Sequence, residues 1–330
     1  MPRSGRPERA LLVLLVVPFL LGAAAAPSSQ EHVEFSFQDK RITESSGLVA
    51  LGTGLFVTTN DSGDSARVFT VDDRGRTVGV TEWSGDAHDV EALAPAGGGE
   101  VWVGDIGDNR ASRDSIQVTQ VPAGRGDRHS DEPVYDLTYP DGAHDAETLL
   151  AAPDGRLYIV TKGFLGGAVY AAPAELSADH PNRLVRVADG ILPMATDGTF
   201  LPDGRHVLIR GYVGAVVYSF PDFGRIRPVP LPDQPQGEGI AVATDGTIYV
   251  SSEGTYADVL RLPESGLCTA AAGICVRGGA ATAVPAPDPA RETPEAGGQH
   301  RTNHTWWPWL LVGGVGAAVV WLQMRVLRSR

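Results

Sequence analysis

The chain has 330 residues and a formal net charge of −13; it is 42% hydrophobic and 20% charged, with 40 glycines and 24 prolines. That length and apolar content support a full hydrophobic core and argue against a wholly disordered, collagenous or polytopic membrane chain. Setting aside three arginines at each end and Glu8 leaves 21 basic against 39 acidic residues, a body at −18 that speaks against nucleic acid as a partner. An acidic body suits cations or basic partners, or serves solubility alone.

Residues 1–26 read as a secretory signal peptide: basic Met1–Arg9, an apolar run Ala10–Gly22 and small residues Ala23–Ala26. The segment 31–265 then reads as a repeat. ESSGLV, DVEALA, DAETLL, ATDGTF and QGEGIA align on Ser46, Glu91, Glu147, Asp197 and Glu238, spaced by 45, 56, 50 and 41 residues, the size of a propeller blade. After each anchor comes a turn, in three cases an Asp-Gly ending at Gly155, Gly204 or Gly246. A second apolar strand follows, ending 14 residues past the anchor at Asn60, Asp105, Thr161, Gly211 and Ser252.

Third strands read as RVFTVD, IQVTQVP, AVYAAP, VVYSFP and DVLRLP, and fourth strands as TVGVTEW, VYDLTYP, RLVRVAD and IRPVPLP. The last blade lacks a fourth strand unless VEFSFQD (Val33–Asp39) supplies it and closes the ring, which abolishes open sheet edges. The expected fold is therefore all-β, a five-bladed β-propeller closed by an N-terminal strand. A sixth, degenerate blade in Gly124–Arg128 or Gly266–Arg277 is the alternative.

Residues 266–305 read as a segment carrying a local Cys268–Cys275 disulfide followed by an Ala/Pro/Gly-rich linker. Trp306–Met324 is an uncharged run long enough, at about 1.5 Å per residue, to span a ~30 Å hydrocarbon layer as one transmembrane helix. Arg325, Arg328 and Arg330 follow, so residues 325–330 are expected in the cytoplasm and the body outside it, at the cell membrane.

In a propeller the connection entering each first strand and the loop leaving each second strand open on one face. That mouth collects an acidic ring, Glu91, Glu147, Asp197 and Glu238, with Asp105 and Asn60 further out. Few nitrogens, no thiols and many carboxylates suit Ca²⁺, which takes six to eight oxygens in irregular geometry. AHDVE (Ala87–Glu91) and AHDAE (Ala143–Glu147) place His88 and His144 at equivalent points, as general bases or metal ligands, or as marks of shared blade ancestry. Asp89, Asp145, Lys162, Arg210 and Glu253 are candidate ligand-binding groups. Lys162 and Arg210 are more simply ion-pair partners of Glu147 and Asp197. NDSGD and DIGDN read as loop structure, in which Gly63 and Gly107 allow backbone positions other residues avoid.

NDSGD (Asn60–Asp64), DIGDN (Asp105–Asn109), DAETL (Asp145–Leu149) and PQGE (Pro235–Glu238) resemble elements of uncharacterised secreted or membrane-anchored actinobacterial β-propeller proteins. In layout the chain is more distantly similar to gluconolactonase, paraoxonase and phytase-like propellers, a resemblance that implies calcium near the axis. No catalytic motif of those enzymes is matched residue by residue. Three functions follow as expectations: a surface module binding a small molecule, glycan or protein; a metal-dependent hydrolase of an ester, lactone or phosphoester; or a rigid structural spacer.

Overall fold

Alternating apolar positions along short strands, punctuated by Asp-Gly turns, build five sheets, each with a four-stranded antiparallel body, in the computed structural model, which describes residues 32–262 except 53 and 62. The segments expected to be the signal peptide, the disulfide, the linker, the transmembrane helix and the basic tail lie outside the described residues, as does Gly266–Arg277. Among the described residues no helix is long and apolar enough to cross a membrane.

The first blade comprises β2 (Ser45–Ala50), β3 (Leu55–Asn60), β4 (Arg67–Asp72) and β5 (Thr77–Trp83), and the second β6 (Val90–Gly97), β7 (Glu100–Asp105), β8 (Ile116–Pro122) and β10 (Val134–Thr138). The third is β11 (Ala146–Ala151), β12 (Leu157–Thr161), β13 (Gly167–Ala171) and β15 (Val185–Ile191), and the fourth β16 (Ala195–Phe200), β17 (His206–Gly211), β18 (Ala215–Ser219) and β19 (Arg225–Val229). The fifth takes β20 (Gly237–Val242), β21 (Ile248–Ser252) and β22 (Asp258–Arg261), completed by β1 (His32–Ser36). Val33 pairs with Leu260 and Phe35 with Val259, antiparallel, so the N-terminal strand closes the ring. The inner strands β2, β6, β11, β16 and β20 touch in a closed cycle around the axis.

The Gly124–Arg128 region does not begin a sixth blade. Its continuation β9 (Arg128–Ser130) runs parallel to β5 as an added outer strand of the first blade. β14 (Asn182–Arg183) does the same beside β10. These additions cover edges that would otherwise offer unpaired backbone groups.

The side-chain period of two divides the core between neighbouring blades. Leu149 packs toward the second blade while Leu150, one residue on, packs toward the fourth. Phe56 and Val57 likewise face the fifth and second blades. At the face away from the mouth, Asp154, Asp203 and Asp245 each accept the backbone N–H two residues on, and Gly155, Gly204 and Gly246 take positive φ. Those are the three Asp-Gly turns of the repeat.

Candidate functional site: an acidic mouth on the propeller axis

Each inner strand carries a β-bulge where it enters the ring: between Ser46 and Leu48, Val90 and Ala92, Ala146 and Thr148, Ala195 and Asp197, and Gly237 and Ile240. A bulge breaks the ladder and re-aims the residue within it. Counted from the first ladder pair of each blade, the equivalent residues are Ser46, Glu91, Glu147, Thr196 and Glu238. Ser46 Oγ donates to the carbonyl of Glu91 at 2.6 Å, and Thr196 Oγ1 donates to that of Glu238 at 3.0 Å. Two hydroxyls therefore tie blades one and four to their successors at the same level.

Asp197 stands one position beyond this ring. The hairpin between Phe200 and Val207 holds six residues where that between Ala151 and Leu157 holds five, so the common spacing back from the end of the second strand stops one residue short. The Asp197 carboxylate is fully buried and accepts the N–H groups of Leu48 at 3.1 Å, Ile240 at 2.8 Å and Gly198 at 2.7 Å. Burial pushes its pKa up to about 8 against those three donors and Arg210. It pins blades four, five and one together.

Asn60 and Asp105 occupy equivalent strand ends and do equivalent work. Asn60 Oδ1 accepts the N–H groups of Thr43 and Glu44, at 3.0 and 3.3 Å. Asp105 accepts those of His88 and Asp89, at 2.8 and 3.1 Å, and Arg113 at 2.6 Å. The amide of Asn60 and the carboxylate of Asp105 are both spent on the entry turns of their own blades. Asp108 is similarly held by the N–H groups of Ser112 and Arg113, and burial is outweighed by these donors, which lower its pKa.

What converges at the mouth is a different set. The carboxylates of Asp61, Asp89 and Glu91 offer oxygens all within 4.8 Å of one another. Asp61 follows the second strand of blade one, as Lys162 and Glu253 follow those of blades three and five. Glu91, Glu147 and Glu238 are each at most 4% exposed. Burial, then the charges of Glu147, Asp61 and Asp89, drive the Glu91 pKa far up. Asp89 is pushed up to about 6 by burial and by Asp61 and Asp145, and Glu238 to about 9 by burial and by Glu147. Burial raises Glu147 as well, although Lys162 forms an ion pair with it. Two buried oxygens, Asp89 Oδ1 and Glu147 Oε2, have no hydrogen-bond partner.

The cationic groups are engaged. Lys162 Nζ lies 5.3 Å from the Tyr212 ring centroid, and Glu147 raises its pKa against the opposing effect of burial. Arg210 is buried and donates through Nη1 to Gly239 O at 3.0 Å and Gln234 Oε1 at 3.2 Å. Burial lowers it to about 10, with Glu238 acting before Asp197 to hold the charge. Burial also raises Glu253, which is hydrogen-bonded to Glu238.

The two AHDxE copies have diverged. His88 is exposed, with Nδ1 3.5 Å from Asp105. His144 bonds Asp141 and the Tyr170 hydroxyl, both at 3.0 Å, with Tyr139 edge-on to its ring. Asp145 accepts the Asp108 N–H at 2.9 Å, joining blades two and three. His144, Asp145, Lys162 and Arg186 line a cavity of about 380 Å³.

No protein-family model and no curated protein matches the chain. Solved structures similar to it include a gluconolactonase from Xanthomonas campestris (16% identity over 72% of this chain and 89% of that one, TM-score 0.42) and a streptogramin B lyase (13% identity, 66% and 64%, TM-score 0.36). A protein from Bacteroides caccae is similar at 11% identity over 63% and 70%, TM-score 0.42. The chain is a five-bladed β-propeller.

Proposed function

We propose that the mouth binds a hard divalent cation, Ca²⁺ foremost, through Asp61, Asp89 and Glu91, and that the chain is an extracytoplasmic, membrane-anchored ligand- or partner-binding propeller. The observation behind this reading is electrostatic. Three carboxylates crowd together, and one oxygen of Asp89 among them and one of Glu147 are buried without a donor, so the site is short of positive charge. A divalent ion would favour the anionic form of all three and accept water to complete its shell. Glu147 and Glu238 border the same well. Asp197, Asn60 and Asp105 are left out because their oxygens are already committed to backbone N–H groups.

A binding role is preferred to hydrolysis because the sequence carries no nucleophile motif and neither histidine is free to act as a base. His144 is committed to Asp141 and Tyr170, and His88 sits against Asp105. The anchor rests on the apolar run Trp306–Met324, and the extracytoplasmic placement on the signal-peptide pattern of residues 1–26. Protease treatment of intact cells should release the body, whereas full protection would place it inside. Calorimetry with Ca²⁺ on the full chain in detergent should give one saturable site that Asp61→Asn and Asp89→Asn each weaken. An unchanged isotherm in both variants would refute these ligands.

A further inference from the structure

The mouth face is divided. Among the described residues, Phe164, Leu165, Tyr212, Val213 and Tyr256 are large apolar side chains exposed in loops, with Phe164 at 81%, Leu165 at 91% and Val213 at 97%. All five stand in the loops that leave the second strands of blades three, four and five, and so on the mouth face. The corresponding loops of blades one and two carry Asp61 and Asp64, and Asp108, Asn109 and Arg110. The remaining exposed large apolar side chains, Val33, Val185, Val187 and Ile226, sit on the outer edge strands β1, β15 and β19.

These apolar tips are held out on fixed turns. The Gly163 carbonyl accepts the N–H groups of Gly166 at 3.2 Å and Met194 at 3.0 Å, tying the third-blade loop to the entry of blade four. Gly211 N–H donates to Gly214 O at 2.9 Å, and Gly254 N–H to Thr43 O at 2.8 Å. Holding exposed apolar groups in place beforehand reduces the ordering cost of a later contact. Between Tyr212, Val213 and the Pro232–Pro235 stretch lies an open cleft of about 490 Å³, with Asp233 at its side.

We propose that this crescent docks a polypeptide segment that carries a Lys or Arg next to aromatic or aliphatic residues. The apolar residues would lie on the three loops and the basic side chain would enter the acidic well beside Glu238 and Glu253. Charge complementarity selects this occupant: Glu147, Glu238, Glu253 and Asp233 face two cations, Lys162 and Arg210, and a further basic side chain would favour the ionised forms of Glu238 and Glu253 that burial opposes. Apolar side chains spread over three blades match a protein contact rather than one small molecule. A lipid surface fits less well, because the same carboxylates repel lipid phosphates. The inference rests on the partner-binding reading and shares the acidic well with the cation reading, but it uses none of the three proposed cation ligands.

The test is selection of a random peptide display library on the full chain in detergent, followed by calorimetry with one synthesised winner. Enriched peptides should carry Lys or Arg within a few residues of Trp, Phe or Leu. Their binding should weaken at least about tenfold in the double variant Leu165→Ser, Val213→Ser and fall with added salt. Ca²⁺ binding should be the same in that variant, which separates failure of this inference from failure of the cation site. No enrichment, enrichment without basic residues, or equal affinity for the double variant would overturn the proposal. So would variant-sensitive binding to vesicles of phosphatidylcholine and phosphatidylserine, which would make the crescent a lipid contact.

Discussion

Gly107 abuts Asp89 so closely that a Cβ at residue 107 would lie 2.4 Å from Asp89 Oδ2 and 2.8 Å from Glu91 Cγ. Its φ is not in the left-handed region, so space rather than backbone freedom reserves this position for glycine. Gly107→Ala should therefore push Asp89 and Glu91 out of their convergence. Calorimetry should show Ca²⁺ affinity falling by at least about tenfold, or ~1.4 kcal/mol, with a stability loss of about 1–3 kcal/mol from overpacking. Unchanged affinity would mean that Asp89 is not a ligand.

Asp197 answers three backbone N–H groups from three blades inside the ring. Asp197→Ala strands those donors away from water, at about 1–3 kcal/mol for each buried group left unsatisfied. Urea unfolding should show a loss of at least about 3 kcal/mol, with Ca²⁺ affinity kept in the folded fraction. A variant of native stability that no longer binds Ca²⁺ would instead place Asp197 among the ligands.

In the cation-free chain Asp89, Asp197 and Glu238 hold protons up to about pH 6, 8 and 9, well above the ordinary carboxylate range. The folded state then binds more protons than the unfolded state across that interval, so stability falls as pH rises. For Glu238 the fall begins near its unfolded value of 4.5 and ends near 9, at up to about 1.4 kcal/mol per pH unit. Urea midpoints at pH 5, 7 and 9, in salt that screens overall repulsion, should decline steadily. Saturating Ca²⁺ should flatten the decline and release protons on binding. Stability that rises with pH would contradict the assignment.

Phe35 lies in the core between blades five and one, and β1 covers the edge of β22. Removing residues 32–36 should open the ring and expose an apolar strand edge. Size-exclusion chromatography should show association or aggregation. A monomer with native melting temperature would mean that closure by β1 contributes nothing.

Strand count and turn chemistry made the ring legible in the sequence, because Asp-Gly turns and alternating apolar residues are local signals. Val33–Phe35 could be placed beside Val259 and Leu260 only because every other blade had its fourth strand. The candidate site was less legible. Spacing equated Asp197 with the glutamates, since one extra hairpin residue is invisible without the ladder. Asn60 and Asp105 looked like ligands because a turn cap and a metal ligand use the same side chains. Asp61 stood one residue beyond its strand, at the position Lys162 and Glu253 share, and that repeat of position was the signal available for it. The aromatic Tyr212 beside Lys162 carried no motif at all.

The central claim is that one hard cation sits among Asp61, Asp89 and Glu91. Anomalous diffraction from crystals soaked with Mn²⁺ or Tb³⁺ as calcium substitutes tests it most directly. A single peak is expected within coordination distance of these three carboxylates, about 2.1–2.6 Å from the oxygens. A peak held by other residues, or none at concentrations that saturate the calorimetric site, would contradict it.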